Sequence, residues 1–148
     1  MSDHRRYVLA LEVAETIVDA ALASARAENL RPLTVVVLDA GGHDIVLKRE
    51  DGCGILRVDI ARGKAWGALG MGLGSRELAR KAEQNPRFFA ALAAASGGRL
   101  IPNPGGVLVR DVGGEVVGAV GVSGDQADHD EACAIAGIQA AGLTSDAG

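Results

Sequence analysis

Leu33-Thr-Val-Val-Val-Leu-Asp39, then Ala40-Gly41-Gly42, then His43-Asp-Ile-Val-Leu-Lys-Arg-Glu50: this stretch decides the fold. The unbroken β-branched run of residues 33–39 reads as a strand covered on both faces. Gly41-Gly42 marks a tight turn, and residues 43–50 read as the returning strand of a hairpin. Asp51-Gly52 breaks it. A second hairpin comes later in the chain, with residues 107–111 and 115–122 on either side of Gly113-Gly114. Two tight hairpins predict an antiparallel sheet.

Helical periodicity surrounds the hairpins. Residues 7–28 carry Leu11, Ala14, Val18, Ala21, Leu22 and Ala25 on one face, with Asp3 as the expected N-cap and Asn29 and Pro32 as the stop. Residues 55–71 predict a second helix whose end is weakened by Gly67 and Gly70, with Gly72 and Gly74 just beyond. Ser75 is positioned to cap a short helix through Lys81, and Pro86 opens another that runs to Ala95 and stops at Gly97-Gly98. The closing helix reads from Gln126 or Asp128 to Ala141, and the tail from Thr144 onward is expected to fray. The fold class is α/β in the α+β sense, with a single domain over residues 1–148.

Composition narrows the function. Of 148 residues, 48% are hydrophobic and 23% charged, which excludes intrinsic disorder and suffices for one core. Aromatics are only 3% (Tyr7, Trp66, Phe88, Phe89), so the core must be aliphatic and a base-stacking platform is absent. A net charge of −4 offers no field for a phosphate backbone, so nucleic acid is not an expected partner. The two cysteines, Cys53 and Cys133, form no C-x-x-C pair and read as buried thiols. No signal peptide or membrane-length apolar run is visible, so a cytoplasmic protein without a membrane partner is expected.

The glycine runs match neither phosphate-binding pattern, and no nucleophile-elbow motif is present. Asp39, ending an apolar strand, is either a turn residue or a functional acid. Arg49 either pairs with Asp51 or offers its fork to a ligand carboxylate. Lys64 either snorkels or reaches a cleft. Asp125, Asp128, Asp130 and Glu131 suit a helix start. His129 among them is the candidate metal ligand, His43 in the hairpin turn is the other imidazole, and His4 lies near the terminus.

Taken together, several of these segments resemble the GlcG/HbpS family. Val35-Val-Val-Leu-Asp39 with Gly41-Gly42 resembles its opening signature. Arg49-Glu50-Asp51-Gly52 matches its Arg-x-Asp-Gly, and Ala61-Arg-Gly-Lys64-Ala65 its Ala-x-x-Lys-Ala helix. Pro104-Gly105-Gly106 resembles the loop before the second hairpin. Val117-Gly-Ala-Val-Gly-Val-Ser123-Gly124 with Asp130-Glu131-x-Cys-Ala resembles the closing signature. The resemblance covers residues 7–142. It implies a profilin-like sandwich, an antiparallel sheet of about five strands flanked by helices, in a homo-oligomer. It also implies kinship with haem-binding HbpS proteins, the C-terminal domain of PduO-type corrinoid adenosyltransferases, and the GlcG proteins of glycolate-utilisation operons. Glu50 and His129 stand where the pattern usually has Met and Gln.

The function this resemblance implies is that of a small-ligand-binding accessory protein with haem or a corrinoid as its ligand. Its ligand set would be Asp39, His43, Arg49, Glu50, Asp51, Lys64, Gly105, Gly106, Ser123 and His129. Asp39, Arg49, Asp51 and Lys64 would line one cleft, Arg49 and Lys64 would meet ligand carboxylates, and Trp66 would join an apolar wall. The alternative is a cofactor-light enzyme of aromatic or hydroxy-acid degradation, performing hydrolysis, isomerisation or proton transfer on a small carboxylated metabolite. There Arg49 and Lys64 would hold the substrate while Asp51, Glu50 or His129 moved the proton. A third reading is an assembly protein with no ligand.

Overall fold

The computed structural model describes residues 9–148. Tyr7, His4 and the expected Asp3 cap lie outside the described residues. The elements are α1 (Leu11–Ala27), β1 (Thr34–Asp39), β2 (Asp44–Arg49), α2 (Leu56–Met71), α3 (Ser75–Gln84), α4 (Pro86–Ala95), β3 (Gly106–Arg110), β4 (Val116–Ser123), α5 (Ala127–Ala140) and β5 (Thr144–Asp146). The five strands form one antiparallel sheet in the order β2-β1-β4-β3-β5.

Alternation along β1 explains its unbroken apolar run. Val35 and Val37 pack into the layer with Ile17, Val18 and Ala21 of α1 and Ala134 and Ile138 of α5. Val36 and Leu38 face the other way, onto Ala61, Ala65 and Ala68 of α2. A strand covered on both faces has no polar side to alternate with. β2, at the sheet edge, is only half-buried and ends in Lys48 and Arg49, charges that keep an edge from pairing further. The α2 backbone lies directly on the sheet. A Cβ at Gly121 would collide with the Ala61 carbonyl, and one at Gly106 with the Lys64 carbonyl. A smaller cluster of Leu78, Phe89 and Leu100 fastens α3 and α4 beside α2.

Two expectations are corrected. The tail does not fray: β5 pairs with β3, and Arg110 Nε donates to Asp146 Oδ2 at 3.0 Å. Ser75 does not cap α3, whose N-cap is Gly74. Its hydroxyl instead accepts the Gly106 amide at 2.7 Å, tying α3 to the start of β3.

Candidate functional site

A cleft of about 570 Å³ opens between the β1–β2 turn, one side of α2, and the loop from α4 to β3. That volume lies within the roughly 300–1,000 Å³ of small-molecule sites. Leu56, Ile60 and Trp66 from α2 and Ile101 from the loop supply apolar walls. Gly42, at φ +85, lets the turn approach the indole: a Cβ there would stand 3.1 Å from Trp66 Cδ1. Two cations border the cleft. Arg62 is held by Asp44 through bonds of 3.0 and 2.7 Å, with Asp59 3.7 Å away. Arg99 stacks on Trp66, its guanidinium carbon 3.9 Å from the ring centroid.

The turn beside the cleft carries His43. Asp39 Oδ1 accepts the amides of Gly41 and His43 at 2.9 and 3.0 Å and lies 3.1 Å from His43 Nδ1. Burial acts to raise the Asp39 carboxyl, but the two amides and the His43 ring outweigh it and hold it below its ordinary value. An ionised carboxylate only accepts, so Nδ1 carries the proton, and in the neutral ring the lone pair is on Nε2. The β3–β4 turn, Asp111-Val-Gly-Gly-Glu115, repeats the backbone arrangement, with Asp111 Oδ1 accepting Gly113 and Glu115 amides at 2.9 and 3.0 Å. The turn therefore forms without an imidazole, and the imidazole is an addition found at the copy beside the cleft.

The other residues singled out in the sequence fall elsewhere. Asp39 and Arg49 stand at opposite ends of the first hairpin, because Arg49 pairs with Thr34. Arg49, Glu50 and Asp51 border a separate, shallower cleft of about 480 Å³ with Leu22, Arg26, Pro32 and Lys48. Their charges are largely engaged. Arg49 Nη1 donates to the Cys53 carbonyl at 2.9 Å, and Glu50 accepts the Leu33 amide at 2.8 Å and pairs with Arg26 at 3.1 Å. Asp51 is exposed.

Lys64 lines no cleft at all, being 1% exposed. Its Nζ donates to the Val122 carbonyl at 2.9 Å and to Asp130 Oδ2 at 3.3 Å, while Asp130 Oδ1 accepts the Asp125 amide at 3.0 Å. Burial pulls the Lys64 ammonium below its ordinary value and pushes the Asp130 carboxyl above its own. Gly105, at φ +123, makes room for the ammonium: a Cβ there would lie 2.9 Å from Nζ. The buried Ser123 hydroxyl accepts from Arg57 Nη1 at 3.2 Å. Lys64, Gly105, Gly106 and Ser123 are thus brought together, but in the interior.

His129 lies in the first turn of α5, its Nδ1 2.7 Å from Asp125 Oδ1. The Arg31 amide, the His129 ring and the Gln126 amide hold the Asp125 carboxyl far below its ordinary range. α5 comes after the end of β4 that pairs with Thr34, so His129 and His43 belong to opposite ends of the sheet. Among the described residues no group of three or more His, Cys, Asp or Glu side chains is placed to hold a metal ion, and no helix is long and apolar enough to cross a membrane. Arg62, Arg99 and Ile101 were not legible as site residues. The available signals were the lone tryptophan and an arginine directly after Gly97-Gly98.

Residues 9–139 match the family model described as "Haem degrading protein HbpS-like". The crystal structure of a PduOC–haem complex is similar in fold, with a TM-score of 0.83 at 24% identity over 92% of this chain and 96% of that one. HbpS of Streptomyces reticuli, solved as a double mutant, gives 0.77 at 29% identity over 94% of this chain and 89% of its own. A Citrobacter freundii protein, described as an uncharacterized 15.0 kDa protein in the dhaT-dhaS intergenic region, is 29% identical over 122 residues, covering 82% of this chain and 84% of its own.

Proposed function

Because the chain belongs to the HbpS-like family, we propose that it is a haem-binding protein whose porphyrin occupies the Trp66 cleft with His43 as iron ligand. The observation that carries this reading is the Asp39-held imidazole on the turn that packs against Trp66. A carboxylate on Nδ1 fixes the tautomer and orients the ring, as second partners of metal-bound histidines do. Ile60, Ile101 and the indole supply the apolar contact a tetrapyrrole needs. Bound haem supplies redox chemistry at iron; the chain's part is to seat the ring and present the imidazole. Accessory work in small-molecule catabolism, as a homo-oligomer, belongs to the same reading.

The test is titration of the purified protein with haemin and, separately, with a corrinoid, following absorbance. A saturable one-to-one Soret shift, lost in His43→Ala and kept in His129→Ala, supports the assignment. Loss only in His129→Ala moves the ligand to α5. A corrinoid shift without a haemin shift makes the corrinoid the occupant, and no shift with either overturns tetrapyrrole binding.

The Asp125–His129 pair favours a second reading, proton transfer on a small carboxylated metabolite. Its ring is half-exposed with Nδ1 engaged by a carboxylate held well below its ordinary range, which leaves Nε2 as a general base. Turnover that disappears in His129→Ala but survives in His43→Ala would support it.

A further inference from the structure

The two arginines at the cleft differ in one respect. Arg62 already faces two carboxylates, Asp44 and Asp59. Arg99 has no carboxylate partner among the described residues. It is nevertheless held in place. Its Nε donates to the Ser96 carbonyl at 2.9 Å, at the C-cap of α4, where the helix presents its negative pole. Its guanidinium carbon lies over Trp66. The loop that carries it is seated on α2 at Gly63, where a Cβ would collide with the Arg99 carbonyl.

We infer that Arg99 is a specificity-determining carboxylate fork at the mouth of the Trp66 cleft, selecting planar ligands that carry free carboxylates. This rests on the haem reading of the same cleft. A guanidinium has five N–H donors, and the Ser96 bond uses only Nε. The two Nη groups, whose parallel N–H bonds match a carboxylate, remain for a ligand. The contact with Trp66 and the Ser96 bond already hold the guanidinium in place, so little rotamer freedom is lost when the carboxylate arrives. Arg62, engaged by Asp44, contributes far less net attraction.

The experiment compares haemin with haemin dimethyl ester, which keeps ring and iron but blocks both carboxylates. Binding is read from the Soret band and from quenching of Trp66, the single tryptophan of the chain. The wild type should bind the ester about tenfold more weakly than haemin, the size expected for a lost charge-assisted fork at a partly wet site. Arg99→Gln should bind both with the affinity the wild type has for the ester. Arg99→Lys, which keeps charge without the fork, should fall between. Equal affinity of the wild type for haemin and ester overturns the inference, needs no variant, and leaves the haem reading intact. Full preference retained in Arg99→Gln overturns it as well. Absence of a Soret shift with either porphyrin overturns the haem reading and this inference with it.

Discussion

The Lys64 ammonium and the Asp130 carboxylate meet at 3.3 Å with neither side chain more than 2% exposed. The pair joins the two helical layers, since Lys64 belongs to α2 on one face of the sheet and Asp130 to α5 on the other. Each group keeps one further bond, Lys64 to the Val122 carbonyl and Asp130 to the Asp125 amide. Burial opposes both charges, and mutual attraction offsets it only while both partners remain.

Removing one partner should therefore cost more than the pair itself contributes. Lys64→Met and Asp130→Asn are each expected to destabilise by about 3–5 kcal/mol, the range for an uncompensated buried charge. The double variant should lose clearly less than the sum, because neither charge is stranded. Urea unfolding of the four proteins measures this, and additive losses would refute the coupling.

Asp125 predicts a pH dependence. Its carboxyl accepts the Arg31 amide at 2.9 Å and the Gln126 amide at 2.7 Å, and its folded value lies below the ordinary 3.8. A depressed carboxyl contributes stability above its unfolded value and loses it as pH falls through the folded one. Asp125→Asn should cost about 1–2 kcal/mol at neutral pH. The gap between the two proteins should start to close below about pH 4, near the unfolded value. A gap that stays constant down to about pH 2, well below that unfolded value, would show that the charge of Asp125 contributes nothing.

Both hairpins were legible because each combines a β-branched run with a Gly-Gly turn. β5 was not, because Thr144-Ser-Asp146 has no strand pattern of its own and becomes a strand only by pairing with β3. The Lys64–Asp130 pair does leave a mark in the sequence. Lys64 shares its helical stripe with Ala61, Ala65 and Ala68, and Asp130 shares its own with Cys133, Ala134, Gly137 and Ile138. A charge on an apolar stripe at three- and four-residue spacing either snorkels or is buried against a partner, and here it is buried. The Trp66 cleft was legible only in part, because three separated segments build it and no single window contains it.

Two glycines of α2 should respond in opposite directions to alanine. At Gly63 a Cβ would collide with the Arg99 carbonyl and the Ile101 side chain, and the backbone cannot rotate away. Overpacking of this kind costs about 1–3 kcal/mol, and the displaced loop should also disturb the Arg99–Trp66 stack. At Gly70 nothing lies within 4 Å, so Gly70→Ala should gain about 0.5 kcal/mol from the smaller entropy loss on helix formation. Thermal unfolding with tryptophan fluorescence reads both effects. A neutral Gly63→Ala would mean that the loop gives way freely.

Asp39→Asn separates the two jobs of Asp39. The amide oxygen of Asn can still accept the Gly41 and His43 amides, so the turn should survive and stability change by no more than about 0.5 kcal/mol. The charge that holds His43 Nδ1 is gone, and with it the lock on the tautomer and orientation of the ring. Haem affinity should fall roughly 10–100-fold, the usual consequence of losing the second partner of a metal-bound histidine. Asp39→Ala should lose both the affinity and the turn, while the corresponding Asp111→Asn change in the second hairpin should leave haem binding untouched. Unchanged haem affinity in Asp39→Asn would separate the Asp39–His43 bond from ligand binding and reduce it to turn architecture. A fall shared by Asp111→Asn would trace the effect to the sheet as a whole instead of to the imidazole.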